Sequence, residues 1–169
     1  MQLFTSRLSM RQITDADWTL FLQLHREPDV LLHCFDMPKE VFVRQRFEQR
    51  LPPWNSNSRH PLCLAVINNE TQQVLGVTGF TYDGICAELG YLFLPAYFGN
   101  GYATESLRAV IEWAWKECGI TQYKGVVKRG NKGSENVLSK CALTHTDTIS
   151  QVHTIANKLY DDLIYTLKL

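Results

Sequence analysis

The sequence predicts an α/β domain in which helices flank a mixed, mostly antiparallel central sheet. The first observation is a strand, a glycine turn and a long helix in succession between Ala87 and Cys118, because such a unit continues into a parallel neighbouring strand. The second is a set of hairpin signals on either side of this unit, which predict antiparallel neighbours. The third is that the 169 residues contain no repeat, low-complexity segment or linker, which predicts one domain over residues 1–169.

The elements before this unit are predicted from alternation, prolines and one capping pair. Residues Met1–Ile13 alternate in polarity, as strands do. Thr14, with Asp17 three residues later, is typical of a helix N-terminus, and Pro38 is typical of a first helical turn. Pro28 interrupts the first helix. These signals predict a strand at Met1–Ile13, helices at Asp15–Arg26 and from Pro38 to about Leu51, and a hairpin of strands Pro61–Ile67 and Val74–Phe80.

The central unit begins with a strand over Ala87–Leu94 that is almost wholly apolar, which predicts a strand covered on both faces. Pro95 ends this strand, because proline cannot donate a hydrogen bond to a neighbouring strand. Gly99 and Gly101 then allow a sharp turn and the close approach of a ligand to the backbone. The following helix has apolar residues at helical spacing: Ala103, Leu107, Val110, Ile111, Ala114 and Cys118.

The elements after the long helix complete the predicted order. Gly119 is typical of a helix C-terminus. The remaining elements are a strand at Tyr123–Val127, a short helix at Gly133–Cys141, and strands at His145–His153 and Lys158–Leu169 around a turn at Ala156 and Asn157. The predicted order is therefore β-α-α-β-β-β-α-β-α-β-β.

Composition argues against several classes of function. Lys and Arg together number 17, as do Asp and Glu, so the neutral chain gives no support for binding to nucleic acids or membrane surfaces. There is no apolar run of about 18 residues and no signal-peptide pattern, and we expect a cytoplasmic protein, monomeric or homodimeric. The five cysteines form no Cys-x-x-Cys pair and the histidines show no ligand spacing, so we expect reduced thiols and no metal.

The strand, glycine turn and helix N-terminus together form a pattern that suits a phosphate group. Unpaired amides and the positive end of the helix dipole point at one place. A dinucleotide-binding interpretation fits poorly, because Thr104 stands at the third glycine position and no suitably placed acidic residue follows. A nucleotide P-loop is excluded, because no Gly-Lys-Ser/Thr sequence follows the turn.

The residues around the turn carry a more specific resemblance. Glu88-Leu-Gly-Tyr-Leu-Phe-Leu-Pro, followed by Tyr97-Phe-Gly-Asn-Gly-Tyr-Ala-Thr-Glu-Ser-Leu, resembles the acetyl-coenzyme A signature of the GNAT N-acetyltransferase superfamily. The likeness is closest to the branch that acetylates the N-termini of ribosomal proteins. Thr5-Ser-Arg-Leu-Ser-Met-Arg near the start and Lys158-Leu-Tyr-Asp-Asp-Leu-Ile-Tyr near the end resemble the same branch, so the likeness covers nearly the whole chain.

This resemblance implies that the amides of the turn hold the pyrophosphate of acetyl-coenzyme A. Phe98 stands where the family has Gln or Arg, which we expect to tune the affinity for the cofactor and not abolish it, since the backbone makes the contacts. The cofactor-binding residues that the resemblance implies are Leu92, Phe93, Leu94, Phe98, Gly99, Asn100, Gly101, Tyr102, Ala103, Thr104, Asn131 and Ser134.

Glu88 is the candidate general base, because it is the one carboxylate within the apolar strand and lies shortly before the glycine turn. Burial would raise its pKa toward a useful range, and one ordered water could connect it to the acceptor amine. The resemblance agrees, since many members place a Glu on this strand. The alternative is a structural carboxylate that neighbouring groups satisfy.

Ser134 is the candidate donor to the departing thiolate. Asn131 and Ser134 match the family's Asn-x-x-Ser/Ala segment beside the pantetheine arm, but Leu138 replaces the tyrosine that protonates the thiolate in many members. Ala142-Leu143 likewise replaces a Gly-Phe pair. The alternative for Ser134 is a helix N-cap. Cys141 is rejected as a nucleophile, because no His-Asp/Asn arrangement near it activates a thiol.

The resemblance implies direct transfer of an acetyl group to a primary amine, with the N-terminal α-amine of a protein or peptide as the first hypothesis. A small amine such as a polyamine, an amino acid or a drug is an alternative acceptor. A second class of function also stays open, because the departures at Leu138 and Ala142-Leu143 would suit an acyl-coenzyme A sensor or scaffold without catalysis.

Overall fold

The described part of the chain forms eight strands and five α-helices. The structure is a computed structural model that describes residues 1–34, 36–155 and 158–169. In chain order the elements are β1 (Gln2–Phe4), β2 (Leu8–Gln12), α1 (Trp18–Leu24), α2 (Pro28–Cys34), α3 (Glu40–Glu48), β3 (Leu62–Asn68), β4 (Val74–Tyr82), β5 (Ala87–Phe93), α4 (Tyr102–Cys118), β6 (Gln122–Lys128), α5 (Lys132–Lys140), β7 (Thr144–Ile155) and β8 (Lys158–Lys168).

These strands form one sheet in the order β1-β2-β3-β4-β5-β6-β8-β7. Strands β5 and β6 are parallel, and the other neighbouring pairs among the described strands are antiparallel. Because β8 lies between β6 and β7, the last hairpin extends the sheet beyond the parallel pair. The predicted mixed, mostly antiparallel sheet is confirmed.

The N-terminal third differs from the predicted order in two places. Residues Met1–Ile13 contain two strands and not one, because a turn over residues 5–7 folds β1 back onto β2. Pro28 begins α2 and does not merely interrupt α1, since the first turn of a helix needs no hydrogen bond from the proline nitrogen. The turn predicted at Ala156 and Asn157 lies outside the described residues.

The predicted capping pair at the start of α1 is confirmed. The backbone amide of Thr14 donates to the carboxylate of Asp17 at 2.7 Å, and a short 3-10 turn over Asp15–Asp17 leads into the helix. Arg11 of β2 also donates to the Asp17 carboxylate at 2.7 Å. The buried Asp17 therefore fixes the start of α1 against the sheet.

Helices cover both faces of the sheet. On one face, α4 and α5 pack against a large core whose buried members include Leu64, Val66, Leu75, Leu107, Val110, Ala114 and Leu138. On the other face, α1 and α3 pack against a smaller core that includes Phe21, Leu24, Val43, Phe47, Ala65 and Val77. Among the described helices, none has both the length and the apolar character needed to cross a membrane.

The parallel pair of strands is short, and the sheet opens beyond it. Ala87 and Glu88 pair with Tyr123 and Lys124, and no further pairing joins β5 to β6 within the described residues. Strand β5 stays paired with β4 along its length, and β6 stays paired with β8. Each strand therefore follows its outer neighbour, and a cleft opens in the middle of the sheet.

Candidate active site

The cleft between β5 and β6 is a cavity of about 170 Å³. Strand β5 contributes residues 89–91 to its wall, and β6 contributes residues 125–128. Asn131 just before α5 and Ser134 and Leu138 within it also line the cleft, and Asp162 lines it from β8. Beyond the parallel pairing, backbone groups of β5 and β6 border this cleft, where a ligand can contact them.

The glycine turn adopts the conformation that its sequence predicts. Gly99 and Gly101 have φ values of 78° and 80°, in the left-handed region that favours glycine. Gly101 is the N-cap of α4, so the first amides of the helix have no helical partner. A Cβ added at Gly99 would meet nothing within 4 Å among the described atoms, and one at Gly101 would approach Arg7 Nη2 at 3.6 Å. The turn is therefore open to a ligand.

The turn and the cleft together fit the cofactor that the resemblance implies. Open backbone and unpaired amides at a helix N-terminus suit a pyrophosphate group. The cleft has room for a narrow, flexible arm, and Asn131 and Ser134 border it. Phe98 is half exposed beside the turn and brings no charge to it.

Asn131, and not Ser134, caps helix α5. The Oδ1 atom of Asn131 accepts a hydrogen bond from the Ser134 amide at 3.1 Å. The N-cap alternative for Ser134 is therefore wrong, because Ser134 lies three residues inside the cap. The Ser134 hydroxyl is not needed for capping, and Ser134 lines the cleft.

The cleft residues that sequence reasoning missed include Tyr91 and Asp162. Tyr91 of β5 donates from its hydroxyl to the carbonyl oxygen of Ser134 at 3.3 Å, which links the two walls of the cleft. Alternation along β5 could have placed Tyr91 on the same face as Leu89, whereas no sequence signal places Asp162 of β8 at the cleft.

The departures from the family pattern in α5 have a structural explanation. Leu138 is buried over Gly125 of β6, where a Cβ on the glycine would lie 2.5 Å from the leucine Cδ1. Ala142 has a φ of 66°, which a glycine would adopt with less strain. Leu143 is buried in the larger core. Leucine in place of tyrosine thus becomes part of the packing at the cleft wall.

Gly125→Ala is expected to lower the free energy of unfolding by about 1–3 kcal/mol, because the added methyl group overpacks against Leu138. Chemical denaturation measures this change. Gly90→Ala is the matched control, since Gly90 lines the same cleft from β5 and an added Cβ would meet nothing within 4 Å of the described atoms. Equal free energies of unfolding for the two variants would show that the packing of Leu138 does not require a glycine at position 125.

Glu88 is exposed, so the expectation of a buried carboxylate is wrong. Its side chain is 48% exposed, and its Oε2 atom lies 2.9 Å from Nζ of Lys124. The hydrogen bond and the charge of Glu88 raise the pKa of Lys124. The physical reason is alternation along β5: Ala87 and Leu89 lie in the larger core, and Glu88 lies on the opposite face of the strand, outside that core.

Cys141 is a packed, unreactive thiol. Its side chain is buried, and burial raises the pKa of the thiol to about 11. Its Sγ atom donates to the carbonyl oxygen of Thr104 at 3.6 Å. The rejection of Cys141 as a nucleophile agrees with this environment, because a thiol must ionise to attack.

Known proteins resemble this chain in both sequence and fold. Residues 7–144 match the Acetyltransferase (GNAT) domain family. The uncharacterized protein YkkB of Bacillus subtilis (strain 168) is 28% identical over 156 residues, which are 88% of each chain. The ribosomal-protein-S5-alanine acetyltransferase structure from Vibrio fischeri is 14% identical, with a TM-score of 0.83 over 99% of this chain and 96% of that one. Spermidine N-acetyltransferase from Vibrio cholerae, solved with CoA and spermine, is 14% identical, with a TM-score of 0.83 over 97% and 96%.

At these identities the two solved structures show a shared fold. The family match extends from the turn before β2 to the start of β7, and so includes the glycine turn, the cleft and α5. The chain therefore belongs to the GNAT family and is an N-acetyltransferase that uses acetyl-coenzyme A.

Proposed function

We propose that the chain transfers the acetyl group directly to the N-terminal α-amine of a protein or peptide. The observation that carries the proposal is the cleft through the sheet, which has Ser134 on the α4–α5 side while Glu88 lies on the opposite face of β5. A donor and an acceptor that enter from opposite faces meet in this cleft. Proximity then contributes much of the rate, and no covalent bond to the enzyme is needed.

The proposed roles follow from this placement. Acetyl-coenzyme A supplies an activated thioester when bound. Glu88 takes the proton of the acceptor amine through a water, and Ser134 donates a hydrogen bond to the leaving sulfur as its charge develops. Cofactor binding is assigned to the end of β5, the turn, the start of α4 and the cap of α5: Leu92, Phe93, Leu94, Phe98, Gly99, Asn100, Gly101, Tyr102, Ala103, Thr104, Asn131 and Ser134.

The acceptor is proposed to enter from the face of the sheet that carries Glu88. The charges on this face favour an acceptor with one positive charge. Alternation in β5, β6 and β8 places Glu88 and Asp162 on this face together with Lys124, Lys128 and Lys168, so the face has no excess of carboxylates over lysines. Lys128 Nζ also donates to the carbonyl oxygen of Leu32 in α2 at 2.6 Å. A single α-ammonium suits this balance, whereas a polyamine would need an excess of carboxylates.

Small amines are the competing acceptors. The Vibrio cholerae structure contains spermine, while the Vibrio fischeri enzyme acts on a ribosomal protein, and this chain shares the fold with both. The deciding experiment supplies acetyl-coenzyme A and a panel of peptides, polyamines, amino acids and amine drugs, and identifies acetylated products by mass spectrometry. Acetylated peptide N-termini support the proposal, and turnover confined to polyamines contradicts it.

The same experiment tests the alternative that the chain senses acyl-coenzyme A and has lost catalysis. A sensor of acyl-coenzyme A would bind the cofactor and release no thiol on any acceptor. Thiol release is therefore measured together with product formation. Free thiol with stoichiometric acetylated product supports an enzyme in spite of Leu138, because Ser134 remains at the cleft.

Ser134→Ala is expected to lower kcat about 10- to 100-fold, the value of one hydrogen bond to a charged group. The affinity for the cofactor should stay within about threefold, because the bond strengthens in the transition state. Steady-state kinetics and calorimetry measure both. Ser139→Ala is the matched control, as Ser139 is exposed on the same helix. An unchanged kcat in Ser134→Ala would remove the serine from the mechanism.

We also propose that residues 1–169 act as one acetyltransferase domain. The family match ends at residue 144, yet the whole length of β6 pairs with β8, from Gln122 opposite Lys168 to Lys128 opposite Asp162. The final hairpin thus supplies part of the cleft wall. Free thiols at Cys63, Cys86, Cys118 and Cys141 are consistent with action in the reducing cytoplasm.

A further inference from the structure

The turn between β1 and β2 contacts the glycine turn through Arg7. The Arg7 guanidinium donates from Nε to Glu105 Oε2 at 2.7 Å and from Nη1 to the carbonyl oxygen of Asn100 at 3.1 Å. It also lies over the ring of Tyr102, 4.7 Å from the centroid. One arginine 93 residues away in sequence from Asn100 therefore holds the turn before α4 and the first residue of α4.

Glu105 places a negative charge close to the proposed binding site of the cofactor pyrophosphate, which is itself an anion. It lies in the first turn of α4, close to the amides assigned to the pyrophosphate. Thr5 Oγ1 donates to its Oε1 at 2.6 Å, and the Arg7 amide donates to the same oxygen at 3.2 Å. Partial burial opposes ionisation, but the hydrogen bonds from Thr5 and Arg7 hold the pKa of Glu105 below its usual range. A charged carboxylate thus stands near the place where a phosphate would bind.

The glycine turn carries no cation of its own to offset this carboxylate. Residues 98–104 are Phe, Gly, Asn, Gly, Tyr, Ala and Thr. The guanidinium of Arg7 borders the open side of the turn, since a Cβ on Gly101 would lie 3.6 Å from its Nη2. The Arg7 side chain is also 47% exposed, so it lies at the surface beside the turn.

We propose that Arg7 is a positioning residue for the cofactor pyrophosphate, which holds the turn through Asn100 and neutralises Glu105. The inference rests on the proposed assignment of the glycine turn to the pyrophosphate. Without the arginine, the Glu105 charge repels the phosphates and the turn loses its tie to the β1–β2 segment. Interactions of this kind act on cofactor binding and leave the chemical step unchanged.

A purely structural role predicts a different result. The Glu105 side chain is only 18% exposed, so loss of a purely structural Arg7 would lower the melting temperature and leave the cofactor affinity of the folded protein unchanged. Arg44 provides a matched control. It pairs with Glu48 at 2.8 Å, lies 4.8 Å from the centroid of the Trp18 ring, and is similarly exposed on α3.

The test is a charge cycle read by calorimetric titration with coenzyme A. Arg7→Ala should weaken binding about tenfold, and Arg7→Ala combined with Glu105→Gln should recover it to within about threefold of the wild type. Glu105→Gln alone should bind at least as tightly as the wild type, and so should Arg44→Ala. At saturating cofactor, kcat of Arg7→Ala should stay within about twofold. Melting temperatures establish that each variant is folded.

The outcomes separate this inference from the proposed site. Wild-type affinity in Arg7→Ala, or a double variant that binds no better than Arg7→Ala, overturns the inference. If Gly101→Val still weakens binding in that case, the glycine turn remains the pyrophosphate site. If neither Arg7→Ala nor Gly101→Val affects affinity, the assignment of the turn itself fails.

Discussion

Glu88→Gln is expected to lower kcat/KM about 10²- to 10⁴-fold near neutral pH, the usual effect of removing a general base. The substitution keeps the size of the side chain and removes its ability to accept a proton. Glu88 lies two residues before Gly90, a residue of the cleft wall, and so about 7 Å along the strand from it. The proposed mechanism places a single water between the Glu88 carboxylate and the acceptor amine. Steady-state kinetics over a range of peptide concentrations measure the loss.

The structure separates this role from a structural one. The pair between Glu88 and Lys124 is exposed, and exposed pairs contribute about 0.2–1 kcal/mol. Glu88→Gln should therefore melt close to the wild type. Lys124→Gln is the matched control, because it breaks the same ion pair and leaves the carboxylate in place. Equal losses of activity in the two variants would assign the effect to the ion pair and not to proton transfer.

The loss should also depend on pH. An α-amine has a pKa of about 8, so below this pH most of the acceptor is protonated and a base is needed. Above it, most of the acceptor is already neutral, and the deficit of Glu88→Gln should shrink between about pH 6 and about pH 9. A well-folded Glu88→Gln enzyme with wild-type turnover over this range would leave proton removal to solvent.

Local patterns were sufficient to predict the strand, glycine turn and helix at the centre of the chain. Pro95 ends the strand, Gly101 has the positive φ that its position at a tight turn implies, and Gly119 ends α4 with a φ of 69°. Each of these features depends on residues close in sequence. The same holds for the capping pair of Thr14 and Asp17.

Non-local pairing explains what could not be predicted around the cleft. The apolar sequence of β5 indicated a strand covered on both faces, yet Glu88 and Gly90 are exposed on the face opposite Ala87 and Leu89, and β6 diverges after two paired residues. That divergence depends on the pairing of β5 with β4 and of β6 with β8. The alternation of polar and apolar residues along one strand carries no information about this pairing. The packing of Leu138 on Gly125 likewise joins α5 to β6 through space.

The N-terminal segment shows a second limit. Proline both ends and begins helices, so Pro28 alone did not distinguish an interruption from the start of α2. The turn at residues 5–7 has no glycine or proline, and its geometry depends on Glu105 in α4. Contact between segments about 100 residues apart is invisible to local patterns.

Gly101→Val is expected to weaken binding of coenzyme A at least tenfold, which is about 1.4 kcal/mol or more. Space is not the cause, since the nearest described atom to an added Cβ is Arg7 Nη2 at 3.6 Å. The cause is the φ of 80°, which a β-branched residue adopts only with strain. Relief of this strain should rotate the peptide groups of the turn and misdirect the amides that are proposed to bind the pyrophosphate. Calorimetric titration measures the change.

Gly119→Val separates the loss of binding from the cost of strain. Gly119 caps the other end of α4, has a φ of 69°, and also has open space around it among the described atoms. The helix spans 17 residues between the two glycines, which are therefore about 27 Å apart. Both variants should lose similar stability on thermal denaturation, and only Gly101→Val should lose affinity for coenzyme A. Unchanged affinity in a folded Gly101→Val variant would show that the pyrophosphate binds elsewhere.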